Sequence, residues 1–105
     1  MISAKKQAEI INERINKYFI PNIRARYQIN VTNNIYDKVY GFYFLRGKPN
    51  HFTRSTPIRS LKNEEYNIEY LESIIRELEK LTNFTIRYIA FENLRWHSND
   101  KLIQR

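Results

Sequence analysis

A chain of 105 residues with 42% hydrophobic residues, only two glycines and three prolines is long enough for one core and too apolar to be disordered, so a single folded domain over 1–105 is expected. The absence of cysteine excludes disulfides, thiolate metal sites and cysteine nucleophiles, and suits a reducing cytoplasm. A formal net charge of +7 says nothing about the fold but favours polyanions as partners, nucleic acid being the commonest.

Ser3 is placed to cap a first helix whose apolar positions Ala4, Ala8, Ile11, Ile15 and Tyr18 keep helical spacing, and Pro21 stops it near Phe19 or Ile20. The first residues lead into this amphipathic pattern rather than an apolar run, so neither an export signal nor a membrane anchor is expected. From Ile23 the residues alternate: Ile23, Ala25, Tyr27, Ile29 and Val31 point one way, Arg24, Arg26, Gln28, Asn30 and Thr32 the other. That pattern predicts a half-buried strand with a polar outer face.

Asn33 and Asn34 supply turn chemistry before a second strand over about 38–45, apolar on both faces and therefore central. Arg46, Gly47, Lys48, Pro49 and Asn50 form the strongest turn signal, followed by a short third strand over 52–58 that Pro57 limits. Asn63 is the expected cap of a second helix, with Leu71, Ile74, Ile75, Leu78 and Leu81 as its buried stripe and Asn83 near its end. A last strand over about 84–91 carries apolar residues on both faces and is expected inside the sheet or under a partner, and 98–105 reads as a frayed tail. The fold class is α+β in the order α-β-β-(β)-α-β: an antiparallel sheet of three to four strands with two helices on one face.

Charge divides along the chain. Residues 1–60 hold eleven Lys/Arg against Glu9, Glu13 and Asp37, whereas the second helix is acidic. Arg24 and Arg26 lie two apart on one strand face, about 6–7 Å from each other, a spacing suited to successive phosphates. With Arg46, Lys48, Arg54 and Arg59 as further cations and Tyr36, Tyr40 and Tyr43 as stacking surfaces, they meet the needs of a single-strand nucleic-acid binder: cations for the backbone, rings for the bases. Helical readers of duplex DNA are disfavoured because neither helix concentrates Lys or Arg.

Other chemistry has weaker support. Arg46, Gly47 and Lys48 form a basic loop, but its glycine spacing is not that of a nucleotide-hydrolase phosphate loop. His51 with Lys48 or Arg54 would be the set for metal-independent RNA cleavage, yet His51 and His97 are the only histidines and neither sits in a diagnostic motif. No metal site or small-molecule cofactor is expected. Arg95 and Trp96, past the last strong strand positions, are candidates for an exposed protein-interface anchor.

The resulting expectation is a non-enzymatic accessory protein of nucleic-acid metabolism. Its wealth of isoleucine, asparagine and lysine hints at AT-rich coding, as in a low-GC bacterium or its mobile elements and phages. The alternatives are a protein-binding subunit or inhibitor of a larger polymerase, helicase or nuclease, and a small RNase.

Overall fold

The computed structural model describes residues 1–21, 25–48, 51–92 and 94–103, with the backbone alone for 51–53. Helix α1 spans Ala4–Tyr18, and the Ser3 hydroxyl accepts from the Lys6 amide at 3.1 Å, satisfying one of the free donors of its first turn. Ala8, Ile11 and Ile15 are fully buried along one stripe, as their spacing requires.

Strands β1 (Arg26–Asn34), β2 (Val39–Lys48) and β3 (His51–Lys62) form an antiparallel meander. At the first turn the Asn34 side chain accepts from the amides of Tyr36 and Asp37, and Lys38 takes a positive φ of 55°. Strand β3 is longer than expected. It sits at the sheet edge, where a proline is tolerated, and a register shift between Phe42 and Tyr43 of β2 accommodates the stretch around Pro57.

Asn63 does not cap the second helix. It stands at φ 58° at the head of a single 3-10 turn, Asn63–Glu65, and the cap is Asn67, whose side chain accepts from the Tyr70 amide at 3.1 Å. Helix α2 runs Ile68–Leu81 and buries Leu71, Ile74, Ile75 and Leu78 against α1 and the sheet. The two helices start side by side: Gln7 of α1 donates to Glu65 at 2.6 Å, and the Tyr70 hydroxyl donates to the carbonyl of Ile2.

Strand β4 (Thr85–Ile89) completes a four-stranded sheet of order β3-β2-β1-β4. The order of elements and the helical layer on one face are as the sequence predicts, but the sheet is mixed. β4 runs parallel to β1, with Gln28 opposite Thr85 and Thr32 opposite Ile89. The reason is the number of crossings: β3 runs the same way as β1, α2 carries the chain back, and the next strand must repeat the direction of β1. β4 therefore also lies at an edge and not inside the sheet, its short alternation turning Ile86 and Tyr88 toward the core.

Residues 94–103, expected as a tail from Ser98 onward, instead close a hairpin. The Trp96 amide donates to Lys101 at 2.8 Å, the Ile103 amide donates to Leu94 at 3.0 Å, and Ile103 is buried in the core. Among the described residues no helix is long and apolar enough to cross a membrane.

Candidate nucleic-acid interface

The helices cover one face of the sheet and leave the other open. Register and alternation assign the open face its residues: Arg26, Gln28, Asn30 and Thr32 from β1, Gly41, Tyr43 and Leu45 from β2, Ser55, Pro57, Ser60 and Lys62 from β3, and Thr85, Arg87 and Ile89 from β4. The described residues of this face include three cations, Arg26, Lys62 and Arg87, and no carboxylate.

Its floor is polar and fixed. Gln28, buried on a face that would ordinarily be solvated, donates to Asn30 at 2.6 Å and accepts from Arg87 Nε at 3.2 Å. The β1–β4 pairing thereby sets where the Arg87 guanidinium stands. Near the centre lies Tyr43. A Cβ built on Gly41 would meet the Tyr43 ring at 2.8 Å and Thr32 Oγ1 at 2.9 Å, so the ring rests over a gap that only glycine leaves.

A second cationic feature lies around the rim, on the helix side. The end of α1 and the β2–β3 pair enclose a cleft of about 420 Å³ lined by Lys17, Tyr18, Ile20, Phe44, Arg46, Arg54 and Thr56. Phe44, which lines it, belongs to an aromatic cluster: Phe19 edge-on to Tyr27 at 4.8 Å, Tyr27 stacked on Phe44 at 5.5 Å, and Phe84 edge-on to Phe44 at 5.3 Å. The Tyr27 hydroxyl also holds the Ile20 carbonyl, fixing the segment that leaves the helix.

The residues singled out in the sequence do not form one site. Arg24 lies outside the described residues. Arg26 and Tyr43 share the open face, while Arg46 and Arg54 point to the helix side at the rim, and Lys48 is exposed where β2 ends. Tyr36 is 92% exposed, but in the turn at the far end of the sheet from Arg26.

Tyr40 is not a stacking surface. It is 4% exposed, packed against Tyr66 at 4.5 Å and stacked on Phe91 at 5.8 Å. Burial, with the neighbouring Tyr66 adding to it, pushes its hydroxyl up to about 12. Both faces of β2 are apolar, so its pattern could not tell which one the helices cover. Arg59 is likewise occupied, its Nε donating to Gln7 at 2.9 Å, which ties β3 to α1.

Trp96 is half-buried, edge-on to Tyr88 at 5.4 Å, and Arg95 donates to the carbonyl of Asp100 at 2.7 Å. Both take part in the hairpin, Arg95 remaining exposed and Trp96 partly covered. His97 Nε2 lies 2.8 Å from Glu69 on the outer surface, and the His51 side chain lies outside the described atoms.

Sequence reasoning missed Lys17, Tyr18, Lys62 and Arg87. The alternation of β4 does set Arg87 opposite Ile86 and Tyr88, but placing it beside Arg26 required knowing that β4 pairs with β1. Comparison of the chain with protein-family models, with curated proteins and with solved structures finds no match in any of the three.

Proposed function

We propose that this protein is a non-enzymatic accessory factor that holds single-stranded nucleic acid across the open face of its sheet. The observation that carries the reading is the company its cations keep. Arg26, Lys62 and Arg87 spread over a face that carries amide and hydroxyl groups beside Leu45, Pro57 and Ile89, with no carboxylate among its described residues, while Glu69 and Glu79 are exposed on α2 in the opposite layer. Such a face attracts a phosphate backbone and offers donors and acceptors to base edges.

Single strands suit it better than duplex. The major groove admits a helix or a two-stranded ribbon, not the flat of a four-stranded sheet. An unpaired strand can instead lie across the sheet and stack a base on Tyr43. A chain without cysteine fits a reducing cytoplasm, where such a partner is abundant.

Titration of labelled oligonucleotides at several salt concentrations tests the proposal. Single strands should bind with little sequence preference, more tightly than duplex, and with a logarithmic salt slope of about 0.7 per phosphate engaged. No binding at low salt would remove the nucleic-acid reading.

A further inference from the structure

Arg46 and Arg54 are direct cross-strand partners in the β2–β3 ladder. Like charges set opposite each other in an antiparallel pair stand about 5 Å apart at Cβ and destabilise the sheet. Here they face the rim cleft, Lys17 lines the same cleft, and its described lining holds no carboxylate to offset the three charges. Nor does Lys17, Arg46 or Arg54 make an ion pair among the described residues. An anion is the missing counterpart.

The rest of the lining says what kind of anion. Tyr18 is 53% exposed and Ile20 is 62% exposed at the lip, above the buried ring of Phe44, an apolar and aromatic wall facing the guanidinium groups. A volume of about 420 Å³ falls within the roughly 300–1,000 Å³ typical of small-molecule sites. The direction of α1 orients the ligand: its C-terminal carbonyls carry the negative end of the helix dipole, which repels phosphate and accepts hydrogen bonds from amino groups.

We propose that the cleft between the end of α1 and the β2–β3 pair binds a nucleotide, its phosphate held by Arg46 and Arg54 on the strand side and its base set against Tyr18, Ile20 and Phe44 at the helix end. The choice of a nucleotide over other anions with a planar apolar body rests on the nucleic-acid reading above. The nucleotide is either free or the phosphorylated end of a strand lying on the open face.

Calorimetric titration of the whole protein with a nucleoside, the corresponding nucleoside 5′-monophosphate and inorganic phosphate tests the free form. Paired oligonucleotides ending in 5′-phosphate or 5′-hydroxyl test the strand end. The preferred form should gain at least tenfold from its phosphate. Arg54→Ala should abolish that gain, and Tyr18→Ala should weaken phosphorylated and unphosphorylated forms alike. Both side chains are exposed, and thermal melts check that the variants are folded.

A gain in one arm alone supports the cleft and identifies the source. Absence of a gain in both arms, or inorganic phosphate binding as tightly as the nucleotide, overturns the proposal. Oligonucleotide binding that needs Arg26 and Lys62 but not Arg54, with no phosphate gain for the free nucleotide, leaves the open-face reading standing and removes the cleft. Nucleotide binding without oligonucleotide binding does the reverse.

Discussion

Glu72, midway along α2, and Ser98, in the hairpin beyond β4, are joined twice: the Ser98 amide donates to one carboxylate oxygen at 3.1 Å and its hydroxyl donates to the other. Arg76 adds a third bond at 2.8 Å. Burial alone would raise the Glu72 carboxyl, but the bonds from Ser98, with Arg76, outweigh it and hold the group below its ordinary value. A lowered folded value means the contribution is complete above the unfolded carboxylate range and disappears as pH falls through the folded value.

Glu72→Gln should therefore cost about 1–2 kcal/mol at neutral pH and almost nothing in strong acid. Denaturant melts of wild type and variant across the acid range check this, and a gap that stays constant with pH would remove the carboxylate from the account. Ser98→Ala should be sub-additive with it, since both act on one cluster.

The Trp96 ring packs on Tyr88 and closes one side of a cavity of about 240 Å³ shared with Glu72 and Arg76. Trp96→Ala should lower stability by about 2 kcal/mol, less than a fully buried aromatic would, and loosen the hairpin around it. Thermal melts and amide exchange at 94–103 are the measurements. A variant as stable as wild type would return Trp96 to the surface role that its sequence position suggests.

Gly41 is constrained by space and not by backbone conformation, since no glycine has a positive φ. Gly41→Ala drives a methyl group into the Tyr43 ring and should cost about 1–3 kcal/mol. Adding Tyr43→Ala should return part of that loss, which a double-mutant cycle by denaturant melts reads directly. Because the ring is displaced, Gly41→Ala should also weaken oligonucleotide binding as Tyr43→Ala does. Binding unchanged in both would take Tyr43 out of the interface.

Arg26 and Lys62 are exposed at opposite ends of the open face. Replacing both with alanine should leave the melting temperature nearly unchanged and reduce the logarithmic salt slope of oligonucleotide binding by about 1.4, the share of two phosphate contacts. Arg87 is the less clean probe, because removing it takes the donor from the Gln28 side-chain oxygen. An unchanged slope in the double variant would move the nucleic acid off this face.

Local signals carried their elements. Ser3 and the Ala8, Ile11, Ile15 stripe gave α1, and the alternation from Tyr27 to Val31 gave β1, because each depends only on near neighbours in the chain. What needed a partner elsewhere was illegible. Tyr40 and Tyr43 sit on equally apolar faces of β2, and only the helices decide that one is core and the other surface. Likewise the hairpin at 94–103 has no periodicity of its own, being held by a glutamate from α2. The Arg46–Arg54 pair depends on the register shift between Arg46 and Gly47, where one extra residue of β3 changes the face that Arg54 presents.

The parallel pairing of β1 with β4 has a consequence for synthesis. The meander can close as soon as β1 to β3 are made, but the neighbour of the other edge of β1 is made only after α2. Throughout that interval the backbone of Gln28–Thr32 offers an open template to any passing strand. Premature termination between Leu81 and Thr85 would leave both helices made and this edge uncovered, so a truncated product should be lost to aggregation while its hydrophobic core is still largely present.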